Sequence, residues 1–428
     1  MNSKFKLSLV SLAGAALLSV GLNNHVNAQD DQIAGGEDVE VVFWHAMNDA
    51  HQDWLVEATE EFNSMHDNVT IVLENQGNYG TLSQSLLAAV RSGTAPTISQ
   101  AYGEWMLDYD ANDQLVDLTT FIETGFDEEE PYEDIFEVFR ADNTFDERVL
   151  GLPFNKSTRV LFVNTDLLEE AGVDTPETWD ELVEVSAAVY EETGVVGFGF
   201  ENGLQHEFPM WVKQAGGEFV NEETAEVAFN TDEGLKALTF INDLVNSDYG
   251  RIAGEDEYLS GPFTTGDVAM YIGSSAGIPF VENDAGDMNW TTAPVPSDAE
   301  AAAPFQGTNI TMFASSTDEQ QEAAFEYMKF LVNGENTISW AQATGYLPVR
   351  ESAVENEAWT SYIEENDVLA APASQFDIGF IEERVPGAFA MKSAMQTSLE
   401  RMIYEGQDHE ATLEELSQAA QEEIDRAQ

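Results

Sequence analysis

The chain contains no cysteine, which rules out disulfides, thiol catalysis and cysteine-based metal sites. Basic residues are also scarce: 16 Lys and Arg stand against 80 Asp and Glu in 428 residues, and the formal net charge is −64. A surface this negative repels nucleic acids and anionic membranes, so neither is expected as a partner. Salt near 1 M shortens the screening length to roughly 3 Å. The composition therefore predicts a halophilic protein.

Signatures of catalysis and of metal binding are missing as well. The sequence has no Gly-x-Ser-x-Gly elbow and no Walker-type phosphate loop. Its six His are mostly far apart, and the spacing of His45 and His51 does not suit one helix face. Carboxylates are so abundant that no catalytic pair can be singled out. We therefore predict no metal, no cofactor and no enzymatic activity.

One long apolar run is present, and it lies at the N-terminus. Lys4 and Lys6 precede the largely apolar residues 7–22, and Val26-Asn27-Ala28 places small residues where a signal peptidase reads them. This pattern predicts a signal peptide, residues 1–28, cleaved after Ala28. Its removal takes away two Lys and no acids, which brings the net charge to about −66. No second run of spanning length follows, so we expect a soluble mature protein.

The length of the chain and the order of its apolar segments predict two α/β domains. Hydrophobic residues make up 43% of the chain, which is enough for packed cores despite the charge. In the first part, strands and helices alternate and suggest a parallel sheet. The predicted segments there are strands 39–44, 69–73 and 97–101 and helices 49–65 and 81–92.

The alternation resumes after Val160 without a clear linker, so the chain is expected to cross between the two lobes more than once. Thr175 and Pro176 are expected to begin a helix, and Ser316 with Glu319 forms a predicted capping box for a helix that ends at residue 331. Ligands of open α/β sheets bind beyond the carboxyl ends of the strands. The other predicted segments are strands 195–200, 268–272 and 310–314 and helices 234–246 and 411–427.

Several polar segments are candidates for anion binding. The segment GLPFNKSTRVLFVN, residues 151–164, places two of the scarce cations in one polar turn that leads into an apolar strand. Ser274 and Ser275 follow a predicted strand, where small residues and backbone amides suit an anion, although an ordinary turn is the alternative. Arg384 could grip a phosphate bidentately or pair with its acidic neighbours.

Aromatic residues leave similar alternatives open. Tyr79 and Tyr346 are either turn residues or cleft walls, and the Tyr346 hydroxyl could reach a ligand while its ring packs. Trp44 and Trp105 are either core residues or stacking platforms for a ligand.

Several motifs, in this order, resemble the extracellular solute-binding proteins (family 1) of ABC importers, and most closely those that take glycerol-3-phosphate. The resemblance runs from about Val41 to the C-terminus and includes the crossover Pro-Phe-Asn-x-Ser-Thr-x-Val-Leu. The other motifs are Phe43-Trp44-His45-Ala46-Met47, Phe263-x-x-Gly266-x-x-Ala269-Met270 and Thr344-Gly345-Tyr346-Leu347-Pro348.

The resemblance implies a two-lobed periplasmic-binding-protein fold (type II) whose cleft lies between the lobes. The lobes would comprise residues 29–155 with 307–340 and residues 156–306 with 341–428. Three hinge crossings are expected near residues 152–157, 306–309 and 340–346.

The resemblance also implies the residues that contact the ligand. Glu104 is the expected acceptor for glycerol hydroxyls, and either His206 or Phe208 is expected to replace part of a tryptophan pair that the family carries. Ser274 and Trp44 complete our candidate set. The contacts carried over by motif are Tyr79, Ser157, Ser275, Gly307, Tyr346 and Arg384.

These inferences predict a monomeric periplasmic protein that closes over a small molecule and docks on the transmembrane subunits of an ABC permease. The absence of cysteine excludes a lipid-anchored N-terminal Cys, which favours a free periplasmic protein.

One alternative ligand is a neutral sugar or oligosaccharide, for which Trp44, Trp105, Trp211 and Tyr102 could serve as platforms. A secreted polysaccharide-processing enzyme would need two carboxylates across a cleft. An adhesive surface protein is disfavoured because no repeats or anchor are present.

Overall fold

The computed structural model describes residues 33–110, 113–256, 258–382 and 384–428. The predicted signal peptide lies outside these residues. Strands and helices alternate along the described chain and confirm the predicted α/β class. Within the described ranges, none of the helices has the length and apolar character needed to cross a membrane.

The strands range from two residues to the fourteen of the sixth strand. They are β1 (Val39–His45), β2 (Val69–Asn75), β3 (Ile98–Ala101), β4 (Thr144–Phe145), β5 (Arg148–Val149), β6 (Gly151–Asn164), β7 (Val196–Phe200), β8 (Val220–Asn221), β9 (Glu226–Val227), β10 (Gly250–Ile252), β11 (Val268–Ser274), β12 (Trp290–Ala293), β13 (Ala303–Met312) and β14 (Gly379–Ile381).

The helices connect these strands and form the C-terminal part of the chain. They are α1 (Asp49–Met65), α2 (Tyr79–Ser92), α3 (Gly103–Asp110), α4 (Thr119–Gly125), α5 (Glu137–Asp142), α6 (Thr165–Ala171), α7 (Trp179–Thr193), α8 (Leu204–Gln214), α9 (Asp232–Val245), α10 (Ser260–Thr264), α11 (Ile278–Asp284), α12 (Asp318–Leu331), α13 (Gly334–Thr344), α14 (Glu351–Glu355), α15 (Glu357–Glu365), α16 (Ala370–Ser374), α17 (Ala388–Glu405) and α18 (His409–Ala427).

A ten-stranded mixed sheet unites the molecule in the order β10-β7-β11-β6-β13-β3-β1-β2, with β12 on β6 and β14 on β13. The expected parallel pairing is present at both ends, where β1 pairs with β2 and β3, and β7 with β10 and β11. In the middle, β6 and β13 are antiparallel to each other and to β11 and β3. An all-parallel sheet is therefore wrong there, because β6 and β13 cross between the lobes in opposite directions.

The two long strands divide the sheet into two lobes with separate cores. The first part of β6 pairs with β13, whereas its last residues pair with β11 and β12. One buried cluster contains Phe43 and Phe62 of the first lobe, and another contains Trp179 and Trp211 of the second. The predicted division into lobes remains a proposal. On this division, β6 and β13 supply two hinge crossings.

The third crossing also remains a proposal, and the packing of the chain bears on its position. Trp340, Tyr346 and Val349 belong to the same buried cluster as the first-lobe residues. Further along, Val368 and Leu369 pack with Val160 and Phe162 of the second lobe. We propose that the chain changes lobes between residues 350 and 368, later than the crossing expected near residues 340–346.

Two predicted helix starts are displaced by a few residues. Thr178, rather than Thr175 and Pro176, caps α7, because Glu181 completes a capping box with it. Thr317 caps α12 together with Gln320, one residue after the expected pair of Ser316 and Glu319. In each case a second capping pair, a hydroxyl residue followed three positions later by Glu or Gln, lies a few residues further along the chain, and the helix begins there.

Candidate ligand-binding cleft

An amide network ties the first lobe to the hinge strands. The Asn155 amide on β6 accepts a hydrogen bond from Gln100 Nε2 at 3.0 Å and another from the Thr308 hydroxyl. Its Nδ2 donates to the Tyr79 hydroxyl at 2.9 Å. Asn155 and Thr308 are fully buried. The two crossing strands are thus held in a fixed register at the bottom of the cleft.

An aromatic wall lines the first-lobe side. The ring of Tyr102 meets those of Tyr79 and Trp105 edge-on, with centroids 5.3 and 4.9 Å apart. Tyr346 stacks on Trp340 at 5.3 Å and 10°. Burial raises the pKa values of Tyr79, Tyr102 and Tyr346, so their hydroxyls stay protonated and able to donate. Such a wall can cover the apolar face of a polyol or a sugar ring.

A buried ion pair lies beneath the hinge. Lys156 Nζ donates to Asp142 Oδ2 at 2.7 Å and to the Gly307 carbonyl at 3.3 Å. Asn309 Nδ2 adds a hydrogen bond of 2.9 Å to the same carboxylate oxygen. Burial opposes ionisation of Asp142, but the Lys156 charge and these hydrogen bonds outweigh it and lower the pKa of the carboxyl. The pair links α5 of the first lobe to both hinge strands.

A second charge cluster lies on the second-lobe wall. Arg159 Nη1 is 3.4 Å from Glu201 Oε2 and 3.6 Å from Glu207 Oε1. Glu207 is 2% exposed, and burial raises the pKa of its carboxyl to about 7, although Arg159 opposes the rise. Neither Glu207 oxygen has a hydrogen bond of good geometry, and Arg159 Nε also lacks one. The guanidinium is therefore only loosely held.

A third cluster spans the two lobes. Lys392 on α17 pairs with Glu382, which also accepts from Gln306 Nε2 at 3.2 Å. Burial raises the pKa of Glu104, and Lys392 opposes that rise from the other lobe. The surrounding cleft and Lys392 lower the pKa of His206, although the residue is exposed to solvent. The lowered pKa favours the neutral imidazole at neutral pH.

The serine turn sits where β11 ends. Ser274 caps the short 3-10 turn Ser275–Gly277 by accepting from the Ala276 amide. The buried Ser275 hydroxyl accepts from the Thr158 amide at 3.4 Å. Gly345 packs against the Ser275 carbonyl so closely that a Cβ atom there would lie 2.5 Å from the oxygen. The turn thus contacts the segment that carries Tyr346.

The structure brings most of the predicted site residues to the junction of the lobes. Arg384 lies at its rim, where Nη1 donates to the Ala141 carbonyl at 2.7 Å and the guanidinium covers the Phe145 ring. Trp44 is not part of this group, because its indole donates to Glu74 on the neighbouring strand. The residues at the junction are Tyr79, Glu104, Ser157, Ser274, Ser275, Gly307, Tyr346, Arg384 and His206.

Sequence reasoning missed Asp142, Glu207 and Lys392. The two acids are hidden among 80 carboxylates, and nothing local distinguishes them. Lys392 offered a better signal, since it is one of only 16 cations and falls within an otherwise apolar helix segment. Within the described part of the chain, no group of three metal-ligating side chains comes together.

Replacing Tyr79 with phenylalanine tests the amide network. The substitution removes the hydroxyl that accepts from Asn155, and an unpaired buried donor costs about 1–3 kcal/mol. Tyr132→Phe is a matched control, because the buried Tyr132 hydroxyl has no hydrogen-bond partner. We expect Tyr79→Phe to lower the midpoint of urea unfolding and the control variant to leave the midpoint unchanged. Equal losses would show that the Tyr79 hydroxyl does not stabilise the hinge.

Comparisons with known proteins identify the fold and the family. The chain is 26% identical over 373 residues to the sn-glycerol-3-phosphate-binding periplasmic protein UgpB of Escherichia coli O1:K1 / APEC, covering 82% of each chain. Its fold is similar to that of UgpB from Mycobacterium tuberculosis in complex with glycerophosphocholine, with a TM-score of 0.80, 20% identity, and coverage of 91% of this chain and 99% of that one. The GacH receptor of Streptomyces glaucescens GLA.O, solved with acarbose, matches with a TM-score of 0.81, 22% identity and the same coverage.

These similarities confirm the two-lobed fold of the periplasmic binding proteins. The family described as bacterial extracellular solute-binding protein matches residues 57–366, which is well over half of the chain. The family and the relatives are binding proteins rather than enzymes. The protein belongs to the bacterial extracellular solute-binding proteins.

Proposed function

We propose that this protein is the periplasmic substrate-binding component of an ABC importer and captures glycerol-3-phosphate or a glycerophosphodiester. The lobes close over the ligand, and the closed monomer delivers it to the permease. The name of the Escherichia coli relative and the glycerophosphocholine bound to the Mycobacterium tuberculosis protein support this ligand class. No catalytic step is part of the proposal.

The observation that carries the proposal is the gathering of cations at the lobe junction. Lys156, Arg159, Arg384 and Lys392 all lie there, in a chain with only 16 Lys and Arg. A low-dielectric junction strengthens their interaction with a phosphate. The serine turn adds neutral donors beside them.

The remaining candidate residues would hold the glycerol part of the ligand. Glu104 has a raised pKa yet can accept from hydroxyl groups, and the wall of Tyr79 and Tyr102 covers the carbon chain. His206, neutral in the cleft, can both donate and accept. The other proposed contacts are Ser157, Ser274, Ser275, Gly307 and Tyr346.

A neutral sugar is the second candidate ligand. Each of the four cations already has a carboxylate within 4.0 Å, which reduces the net attraction for a phosphate. Paired carboxylates and guanidinium groups beside aromatic rings also suit sugar hydroxyls. The cyclic alpha-maltosyl-1,6-maltose binding protein of Arthrobacter globiformis, similar in fold at a TM-score of 0.78 and 23% identity, has a sugar in its name.

Calorimetric titration of the mature protein separates the two ligands. The experiment needs about 1–2 M salt to screen the surface charge, with glycerol-3-phosphate, glycerophosphocholine and maltose as ligands. We expect at least one phosphate ligand to bind and maltose to stay silent. Binding of maltose alone would establish the second candidate. Silence from all three would refute both ligand classes while leaving the family membership intact.

A further inference from the structure

We propose that Arg159 is the cation of the second lobe that binds the phosphate of the ligand, and that Glu201 and Glu207 position its guanidinium. The inference rests on the proposed function, because it assumes a ligand that carries an oxyanion. It differs from the expectation drawn from the sequence, which gave Arg384 the leading role ahead of Lys156, Arg159 and Arg251.

The sheet register places Arg159 beside the serine turn. Arg159 on β6 lies directly opposite Ser274 on β11 in the antiparallel pair. One residue earlier, the Thr158 amide donates to the Ser275 hydroxyl. Cross-strand neighbours have Cβ atoms about 4.5–5.5 Å apart. The register therefore makes Arg159 and the serine turn direct neighbours on the second-lobe side of the junction.

Arg159 also has donors to spare. A guanidinium carries five N–H donors, and the contacts from Nη1 to Glu201 and Glu207 measure 3.4 and 3.6 Å. Charge-assisted hydrogen bonds of full strength measure about 2.7–2.9 Å. The side chain is only 13% exposed, and its Nε has no hydrogen-bond partner within the described part of the chain. A buried donor without a partner is costly, and a ligand oxygen would remove that cost.

The other cations of the junction are more fully engaged. Lys156 is held by Asp142 and a carbonyl at the hinge, and Lys392 is paired with Glu382. Arg384 donates to the Ala141 carbonyl, covers the Phe145 ring, and has its backbone amide bound by Glu222, although its Nε, like that of Arg159, has no hydrogen-bond partner among the described residues. A ligand at Arg384 would have to share the guanidinium with the contact that Nη1 makes between the lobes.

The charge of Arg159 interacts electrostatically with groups on several sides of the cleft. It acts on the pKa of Tyr102 from the first lobe and on that of His206 on α8. Glu382, which follows β14, in turn acts on the pKa of Arg159. The guanidinium therefore lies where side chains of both lobes converge.

Glu207 gives this arrangement a dependence on pH. The charged groups that face its carboxyl are Arg159 from β6 and Glu201 from the end of β7, and the Trp211 indole lies on its own helix. Because the pKa of Glu207 is about 7, the carboxyl loses its charge as the pH falls from 8 to 6. The charge of Arg159 is then less compensated, which favours an anion.

Glycerophosphocholine is the appropriate probe, because its phosphodiester keeps one negative charge between pH 6 and 8. We expect Arg159→Lys, which keeps the charge but loses the planar fork, to weaken binding about tenfold, the scale of one charge-assisted contact. Arg384→Ala should weaken glycerophosphocholine binding by less than tenfold. Arg251→Ala is the control, because this second-lobe arginine pairs with the exposed Asp256 away from the junction. Thermal unfolding checks that each variant is folded.

The pH profile tests the positioning residue separately. Wild-type protein should bind glycerophosphocholine several-fold more tightly at pH 6 than at pH 8, and Glu207→Gln should flatten this profile. A flat profile in the wild-type protein would remove Glu207 from the mechanism.

Each result has one reading. A tenfold loss in Arg384→Ala, with Arg159→Lys unchanged, would overturn the inference and leave the proposed function standing. Equal losses in Arg159→Lys and Arg251→Ala would reduce the effect to general electrostatics and also overturn it. If the wild-type protein binds no phosphate ligand at all, the proposed ligand and this inference both fail.

Discussion

Replacing Lys156 with methionine should lower the free energy of unfolding by about 3–5 kcal/mol, the usual cost of leaving one member of a buried ion pair without its partner. Lys156 is 1% exposed and is the closest cation to the buried Asp142 carboxylate. Without it, only the Asn309 hydrogen bond and the charge of Arg384 oppose the effect of burial on Asp142. The carboxyl must then either stay ionised in a low-dielectric site or take up a proton. Urea unfolding of the variant and of the wild-type protein measures the loss.

Two further variants make this test specific. Lys236→Met removes a lysine that is 54% exposed and pairs with Asp298 on the surface, so it should cost no more than about 1 kcal/mol. Lys156→Met combined with Asp142→Asn removes both buried charges and should recover much of the loss. If Lys156→Met costs no more than the surface control, the buried pair does not stabilise the hinge.

The same pair predicts the direction of acid sensitivity. The folded state lowers the pKa of Asp142 below its unfolded value of about 3.9. The stability that the pair supplies is therefore complete above that unfolded value and is lost as the pH falls through the lowered folded value.

Replacing Gly307 with alanine should have a comparable effect for a steric reason. Gly307 has φ +107°, and a Cβ atom there would lie 1.8 Å from the Asn155 carbonyl oxygen. The chain cannot relieve this clash without separating β13 from β6 at the crossing, where Gly307 pairs with Lys156. We expect a loss of at least about 3 kcal/mol in the free energy of unfolding, the upper end for a strained backbone position, and weaker ligand binding.

Gly194→Ala is the matched control. Gly194 has φ +74°, and a Cβ atom built there meets nothing within 4 Å. Its substitution should cost only the left-handed backbone penalty of about 1–2 kcal/mol. Comparing the two urea midpoints isolates the contribution of the clash. Equal losses would mean that the crossing strands adapt to the extra methyl group.

Local patterns were sufficient to predict many of the elements. The bounds of α1 were predicted correctly, because Leu55, Ala58 and Phe62 recur on one buried face. Gly93 ends α2 in the left-handed conformation, as the glycine after a helix predicts. Such signals depend on neighbours within a turn or two of the chain. The antiparallel path of β6 and β13 has no comparable local signal, because it depends on contacts between residues far apart in sequence.

The candidate site also contains residues that local motifs indicate and contacts that only the fold determines. Tyr79, Ser275 and Tyr346 could be chosen as candidates because each lies in a short motif next to an element boundary. The partners of the cations could not be predicted, since pairing depends on distances across the fold and 80 acids were available. Arg384 shows the limit of motif transfer: its position at the lobe junction agrees with the expectation, while its guanidinium is committed to the Ala141 carbonyl and Phe145.

The central position of β13 has a consequence for how the molecule forms. The first-lobe strand β3 pairs with Ile310 and its neighbours on β13, and these residues follow the long second-lobe segment 156–306 in the chain. The first lobe therefore cannot complete its sheet while the chain is still emerging, and β3 keeps an open edge until residues near 310 arrive. Because such distant contacts slow folding, an exported chain of this kind would remain open to chaperones and proteases until late. A truncation that ends before β13 should consequently leave neither a finished first lobe nor a protected edge.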